Sequence, residues 1–179
     1  TPIMAGLLEA LPRLVDDPAV GAIVLTGAGR AFCAGGDVKS MTERPAETDI
    51  EHGVAELRAR MEISRLLHEM PKPTIAMVNG PAAGAGMALA LACDLRIAGQ
   101  SARFVTAFAN VGYSGDFGGS YFLSRLVGTG KARGLYLLSE PLDAAQARAL
   151  GGGNRGGPDA DLADVAVRLA RKLAEGART

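Results

Sequence analysis

The hydrophobic pattern of the chain alternates between helical spacing and short apolar runs. Hydrophobic residues recur every three or four positions over residues 2–16 and 50–69, which predicts amphipathic helices. The apolar runs AIVLTG (22–27) and TIAMVN (74–79) end in turn-forming residues, as is typical of buried strands. Further strands are predicted at 94–98 and 102–105, and further helices at about 84–92, 118–128, 131–139 and 143–150. Strands that alternate with helices predict an α/β domain whose strands pair mainly in parallel.

The C-terminal part of the chain has a different character. The glycine-rich stretch GGGNRGGP (151–158) predicts a flexible linker between a core over residues 1–150 and a C-terminal segment over 159–179. That segment contains an amphipathic helix at about 159–174, with no later element to cover its apolar face. An uncovered apolar face favours assembly with a partner, so we interpret this helix as a trimerisation or lid element.

Composition and charge narrow the class of protein. With 179 residues, of which 48% are hydrophobic, the chain is long enough for one globular domain with a core. Its 19 basic and 19 acidic residues cancel, and the absence of a basic run argues against nucleic acid or a membrane surface as partner. The uncharged segment 74–93 approaches the length of a membrane span, but Asn-Gly-Pro interrupts it.

The cysteines and histidines favour neither a disulfide nor a metal site. Cys33 and Cys93 lack a C-x-x-C spacing, which fits a reducing cytoplasmic location. His52 and His68 lie apart, with no clustered ligands around them. We therefore expect no bound metal.

Two glycine-rich loops are the candidate site. AFCAGGDV (31–38) and NGPAAGAGMALALACD (79–94) each follow a predicted strand, and such loops often present backbone N–H groups to a ligand. The second loop matches neither common nucleotide motif, because Met87 follows Gly86 where a P-loop has lysine, and Leu89 replaces the third glycine of a dinucleotide fingerprint. Two nearly uncharged loops could instead direct two N–H groups at one carbonyl oxygen. Close packing of a helix on a sheet is the alternative explanation of the glycines.

Three motifs, in this order, resemble those of the crotonase superfamily, also called the enoyl-CoA hydratase/isomerase family. They are GAGRAFCAGGDV, KPTIAMVNGPAAGAGMALALACDLRIA and ARFVTAFANVGYSGDFGGSYFLSRLVG. The resemblance extends to about Leu150 and implies a crotonase-like spiral of ββα units, truncated at both ends relative to the family. It further implies a coenzyme A thioester as substrate, no separate cofactor, and a homotrimer or a dimer of trimers.

The resemblance also assigns candidate site residues. The backbone N–H groups of Ala34 and Ala85 match the two donors of the family's oxyanion hole. The positions implied to bind the substrate or its coenzyme A are Ala31, Ala34, Gly35, Asp37, Val38, Gly84, Ala85, Phe108 and Gly112.

The residues at the family's acid and base positions differ from those of its hydratases. By resemblance, the two hydratase glutamates correspond to Ala88 and Phe108, neither of which can transfer a proton. Asp116 in GYSGDFGG instead matches the aspartate of another branch, closest to the ring-epoxide and enoyl-CoA isomerases of phenylacetate degradation. The implied activity is therefore enoyl-CoA isomerisation, with Asp116 moving the proton.

Several alternatives remain open for this aspartate and for the activity. Asp116 precedes a predicted helix and could be its N-cap. The chain could also be a hydratase, a hydrolase or dehalogenase with Asp116 as nucleophile, or an acyl-CoA-binding protein without catalysis. If Asp116 is a base, we expect the neighbouring Phe108, Tyr113 and Phe117 to desolvate it and raise its pKa.

Overall fold

The computed structural model describes residues 2–36 and 50–176 of the chain, which form helices α1–α7 and strands β1–β7. In chain order, these elements are α1 (Pro2–Asp16), β1 (Ile23–Thr26), α2 (Ile50–Glu69), β2 (Thr74–Val78), β3 (Pro81–Ala83), α3 (Ala85–Ala92), β4 (Leu95–Gly99), β5 (Arg103–Val105), α4 (Gly119–Val127), α5 (Thr129–Leu138), β6 (Leu142–Asp143), α6 (Ala144–Ala149), β7 (Arg155–Gly157) and α7 (Leu162–Gly176). The predicted helices and the longer strands are all present. Strands β3, β6 and β7 were not predicted, because their segments (PAA, LD and RGG) lack the run of large apolar residues that marks the other strands.

The strands form two sheets. The larger sheet is parallel, with the order β1-β2-β4-β7, and the smaller has the order β3-β5-β6. Strand β3 pairs in parallel with β5, and β6 pairs antiparallel to β5. The loop after β1 joins the smaller sheet, because Cys33 forms a parallel bridge with Ala82 of β3. This bridge brings the first glycine-rich loop beside the start of the second.

Helix α3 lies at the centre of the core. All eight of its residues, Ala85–Ala92, are buried. It packs against α2, α4 and β3, and its small side chains permit the neighbouring backbones to approach closely. The alanine-rich composition of this segment therefore reflects a helix that is enclosed on all sides.

The predicted flexible linker over residues 151–158 requires a correction. Residues Arg155–Gly157 form strand β7, with Arg155 opposite Ile97 of β4. Asn154 begins the pairing, because its N–H donates to the Arg96 carbonyl at 2.9 Å and its Oδ1 accepts from the Arg96 N–H at 2.7 Å. The composition of this segment indicated flexibility. The segment is instead ordered by hydrogen bonds to β4, which composition does not reveal.

The apolar face of the C-terminal helix is also covered within the chain. Leu162 and Ala166 of α7 are buried in a cluster with Ile75 and Ile97 of the larger sheet. The expectation that this face needs a partner is therefore wrong, because β2 and β4 present a matching apolar surface.

Isoleucine-to-alanine substitutions on α2 test how the core is stabilised. Ile63 is fully buried, so Ile63→Ala is expected to lower the free energy of unfolding by about 2–5 kcal/mol. Ile50 on the same helix is 76% exposed, and Ile50→Ala is expected to change the free energy of unfolding by no more than about 0.5 kcal/mol. Urea denaturation of both variants measures the difference, and equal losses would contradict the assigned core.

Candidate active site

The two glycine-rich loops are joined by backbone hydrogen bonds. The Cys33 N–H donates to the Pro81 carbonyl at 3.1 Å, and the Ala83 N–H donates to the Cys33 carbonyl at 2.9 Å. Gly84 then turns the chain into α3 with φ +51°, and its N–H donates to the Val105 carbonyl at 3.0 Å. The residue after Cys33, Ala34, is therefore held close to the beginning of α3.

Asn79 fixes the base of the first loop. Its Oδ1 accepts from the Gly27 N–H at 3.2 Å, and its Nδ2 donates to the carbonyls of Gly27 and Gly29, both at 3.0 Å. The sequence indicated only a turn at this residue. The side-chain amide instead bridges β2 to the loop after β1 and so positions one loop relative to the other.

Several glycines are required by the contact between the loops. A Cβ atom at Gly86 would overlap the Cys33 carbonyl oxygen, and one at Gly80 would overlap the Arg30 carbonyl oxygen. Gly35 has φ +91°, and its Cβ would lie 2.8 Å from the Ala83 carbonyl oxygen. The close-packing explanation of the glycines therefore holds, and that packing aligns the two loops.

The backbone N–H groups of Ala34 and Ala85 lie at this junction. Neither is a donor in the hydrogen bonds between the described loops and turns. Ala85 is the first residue of α3, where N–H groups lack intrahelical acceptors and carry the positive end of the helix dipole. The fold thus places two candidate oxyanion donors on adjacent segments.

Beside α3, a narrow apolar cleft continues from the turn at Gly84. Residues from α3, α4, α5 and the loop after β5 contribute to it. Its lining consists of Gly84, Met87, Ala88, Leu91, Thr106, Phe108, Gly119, Leu123 and Tyr136. Ala88 and Phe108, which correspond by resemblance to the two hydratase glutamates, therefore line one cleft and supply no carboxylate to it.

Asp116 lies at the border of this cleft. Its carbonyl accepts from the N–H of Gly119, a lining residue, at 3.0 Å. Its carboxyl group is half-buried, and Oδ1 has no hydrogen-bond partner among the described residues. Burial raises the pKa of this carboxyl group, an effect opposed by a hydrogen bond from its own backbone N–H.

Asp116 is not the N-cap of α4, so the alternative explanation of this residue as a helix cap is wrong. The N-cap of α4 is Gly118, and no side chain caps that helix. The loop around Asp116 holds two non-glycine residues with left-handed backbones, Ala107 at φ +59° and Phe117 at φ +48°. Each such residue costs about 1–3 kcal/mol, and strain of this kind clusters at functional sites.

The aromatic surroundings of Asp116 differ in part from the prediction. Phe108 and Phe117 are buried, but Tyr113 is 53% exposed and does not enclose the carboxyl group. Tyr136 of α5 takes that place, and its ring stacks on Phe108 with centroids 5.9 Å apart. Burial and the charge of Asp116 raise the pKa of Tyr136 to about 12. The sequence showed only a tyrosine in an apolar helix, so this residue was missed.

Two other predicted residues, Ala31 and Gly112, are not among those that line the cleft. Ala31 is half-buried in the first loop. Gly112 is exposed at the end of the 3₁₀ turn Ala109–Val111, and its N–H donates to the Ala109 carbonyl rather than pointing to the cleft. Asp37 and Val38 lie outside the described residues.

Asp94 serves the fold. Its Oδ2 accepts from the Thr74 N–H at 2.8 Å and from the Thr74 hydroxyl at 2.9 Å, which ties the start of β4 to the start of β2.

The described residues contain neither a cluster of metal ligands nor a helix suited to a membrane. Across 2–36 and 50–176, no three His, Cys, Asp or Glu side chains are grouped so that they could hold a metal ion. Over the same ranges, every helix is too short or too polar to cross a membrane.

The raised pKa of Asp116 predicts a pH-dependent stability. Because the folded-state pKa lies above the unfolded value of about 3.9, ionisation of Asp116 opposes folding, and the penalty is absent below that value. We expect Asp116→Asn to be more stable than the wild type at pH 7, with the difference vanishing towards pH 3.5. Thermal unfolding between pH 3.5 and 8 measures this difference, with exposed Glu140→Gln as control. A wild type that is the more stable protein at pH 7 would contradict the assignment.

Comparison with known proteins gives one consistent family. The family model for enoyl-CoA hydratase/isomerase matches residues 2–179. The chain is 42% identical over 170 residues to 1,2-epoxyphenylacetyl-CoA isomerase of Escherichia coli K12, covering 95% of this chain and 65% of that protein. It is 38% identical over 167 residues to 4-chlorobenzoyl coenzyme A dehalogenase-1 of Arthrobacter sp., covering 93% of this chain and 60% of that protein. The chain thus spans less than two thirds of the length of these relatives.

Solved structures of enoyl-CoA hydratases have a similar fold. The crystal structure of an enoyl-CoA hydratase from Polaromonas sp. JS666 superimposes with a TM-score of 0.89 at 34% identity, covering 96% of this chain and 66% of that one. This similarity confirms the α/β fold that the three motifs predicted.

Proposed function

Because this chain belongs to the enoyl-CoA hydratase/isomerase family, we propose that it binds the acyl end of a coenzyme A thioester and isomerises an enoyl-CoA. One observation carries the choice of reaction. Asp116 is the carboxylate at the border of the cleft, whereas the two positions of the hydratase glutamates hold Ala88 and Phe108. A single carboxylate suits a proton shift within one molecule, in which the same group removes and returns the proton.

The two backbone donors would stabilise the charge that this reaction develops. In the proposed complex, the thioester oxygen accepts from the N–H groups of Ala34 and Ala85. Neither N–H is used by another described loop or turn, and the hydrogen bonds that join the loops hold both donors in place before substrate binds. Removing one donor of such a hole typically costs about 2.7–4 kcal/mol of transition-state stabilisation.

The proposed proton shift has two steps. Asp116 removes a proton from the carbon next to the thioester, the C–H bond breaks, and the electron pair moves onto the oxygen to form a dienolate. The protonated carboxyl group then returns the proton to the far carbon of the double bond, and the thioester carbonyl re-forms. The atoms and electrons of this reaction balance without a metal or a redox cofactor. Burial raises the pKa of Asp116 and so makes its carboxylate a better base.

A second candidate uses Asp116 as a nucleophile. The similarity to a protein named 4-chlorobenzoyl coenzyme A dehalogenase favours it, together with the unpaired Oδ1 at the cleft border. In that reaction, a carboxylate oxygen would bond to the ring carbon, chloride would leave, and water would hydrolyse the resulting ester. Hydration has less support, because neither Ala88 nor Phe108 can activate water.

Parallel assays distinguish these activities. Purified protein is offered 3-enoyl-CoA, 2-enoyl-CoA and 4-chlorobenzoyl-CoA, and the products are double-bond isomer, 3-hydroxyacyl-CoA and free chloride respectively. We expect the isomer. Hydration as the main activity would overturn the proposal, and chloride release would select the nucleophilic role. Calorimetry with acetoacetyl-CoA tests the remaining candidate, since binding without turnover of any of the three substrates describes an acyl-CoA-binding protein.

We also propose that the protein self-associates as a homotrimer or a dimer of trimers. The support is the family resemblance and the exposed leucines at the end of α5, Leu137 at 76% and Leu138 at 66% exposure. The C-terminal helix gives no support, because its apolar face packs on the larger sheet. Light scattering at micromolar concentration tests the proposal, and a monomer would overturn it.

A further inference from the structure

Tyr136 enters the cleft against the two glycines that flank Asp116. A Cβ atom at Gly115 would lie 2.9 Å from Tyr136 Cε1, and one at Gly119 would lie 2.6 Å from the Tyr136 hydroxyl oxygen. Any side chain at either glycine would therefore displace this ring. The tyrosine hydroxyl is held beside the segment that carries Asp116.

The ring of Tyr136 is fixed independently of its hydroxyl. It stacks on Phe108 with an interplanar angle of 9°. A phenylalanine at position 136 would keep this stacking and would remove only the oxygen atom. The contribution of the hydroxyl can thus be separated from that of the ring.

At the cleft, Asp116 Oδ1 and the Tyr136 hydroxyl have no hydrogen-bond partner among the described residues, although the carboxyl group of Asp116 also accepts from its own backbone N–H. Asp116 Oδ1 is buried and unpaired among the described residues. The other hydroxyl of the lining, that of Thr106, already donates to the Leu135 carbonyl at 2.8 Å and lies 3.2 Å from the Ser139 hydroxyl. An ionised carboxylate with an unpaired buried oxygen is costly, and Tyr136, whose pKa the charge of Asp116 raises, is a nearby side-chain donor.

We propose that Tyr136 is a positioning residue for Asp116: its hydroxyl donates a hydrogen bond to the ionised carboxylate and fixes that carboxylate's orientation in the cleft. Rotation about the last torsion of aspartate is soft, so the carboxylate can turn towards the hydroxyl. That Tyr136 positions a catalytic base rests on the proposed isomerase function. The hydrogen bond between Tyr136 and Asp116 is independent of that function.

The electrostatic environment is consistent with a donor role. With a pKa of about 12, Tyr136 keeps its proton throughout the working pH range and acts as a donor only. Among the described residues, no charged side chain contributes to the shifted pKa of Asp116, and the residues that contact the neighbouring Gly115 and Gly119, apart from Tyr136, are the uncharged Phe108 and Ala88. A hydrogen bond that favours the ionised carboxylate lowers its pKa and so opposes the effect of burial.

The test is a titration of Asp116 in the full chain, followed by carboxyl-carbon NMR, in the wild type and in Tyr136→Phe. We expect the substitution to raise the pKa of Asp116 further, by about one unit. Tyr113→Phe is the matched control, because that tyrosine is exposed in the same loop, and it is expected to leave the titration unchanged. An identical Asp116 titration in the wild type and Tyr136→Phe would overturn the proposal.

A second measurement needs no substitution. With 3-fluorotyrosine incorporated, the fluorine resonance of Tyr136 is expected to shift with the same midpoint as Asp116, and a resonance that does not respond would overturn the proposal. In isomerase assays, the rising limb of kcat/KM with pH is expected to move upward in Tyr136→Phe by the same amount as the NMR titration. A shifted NMR titration in a protein without isomerase activity would keep this inference and overturn the proposed function.

Discussion

Asp116→Asn is expected to lower isomerisation of 3-enoyl-CoA by about 10²–10⁴-fold, the usual contribution of general acid–base catalysis. The amide has the size of the carboxyl group but cannot accept the proton. Binding of acetoacetyl-CoA is expected to remain near the wild-type value, because the proposed contacts to the thioester oxygen come from the backbone of Ala34 and Ala85. Steady-state kinetics and calorimetry measure the two effects separately.

The matched control for this variant is Asp164→Asn. Asp164 is an exposed acid on α7, away from the cleft, and its replacement is expected to leave turnover unchanged. Full isomerase activity in Asp116→Asn would show that the carboxyl group has no part in the chemistry. A loss of binding equal to the loss of turnover would mean that Asp116 holds the substrate rather than moving its proton.

Gly86→Ala is expected to lower turnover by about 10²–10³-fold, comparable to the loss of one oxyanion donor. In most helices this substitution stabilises the protein by up to about 1 kcal/mol. Here the added methyl group would overlap the Cys33 carbonyl oxygen and would lie 2.8 Å from its carbon. A backbone carbonyl cannot rotate away as a side chain can, so the loops must separate and the N–H groups of Ala34 and Ala85 lose their alignment.

Gly134→Ala provides the comparison within the same protein. Gly134 lies in α5 with nothing within 4 Å of its Cβ position, and the substitution is expected to stabilise the chain by about 0.5–1 kcal/mol without lowering turnover. Thermal unfolding and the isomerase assay report both quantities for each variant. A Gly86→Ala protein with wild-type turnover would contradict the proposed alignment of the two loops.

Most of the longer elements follow from local pattern. Helix α1 was predicted over 2–16 and α2 over 50–69, and the structure has Pro2–Asp16 and Ile50–Glu69. These segments carry enough turns for a helical period to show, and a proline follows each of them, at positions 18 and 71. Strands β3 and β7 were not predicted, because their small residues carry no apolar strand pattern and only their pairing with β5 and β4 reveals them.

Some residues of the candidate site can be predicted from the sequence, and others are revealed only by the packing of the fold. The two glycine loops and Asp116 stand out in the sequence, since close backbone approach restricts their composition and the motifs around them are specific. Tyr136 does not, because its link to Asp116 depends on how α5 packs against α4 and the preceding loop. The exposed position of Tyr113 was likewise decided by packing, although it is three residues from Asp116 along the chain.

The sequence by itself determined the family, the α/β class, the order of the long elements and the segments proposed to form the site. These properties reside in local spacing and in motifs, which are read without knowing what each segment touches. The tertiary structure decided which groups surround Asp116, that no side chain caps α4, and that Arg155–Gly157 and the face of α7 belong to the larger sheet. Burial, partner hydrogen bonds and shifted pKa values arise from contacts between distant segments, and such contacts exist only once the chain has folded.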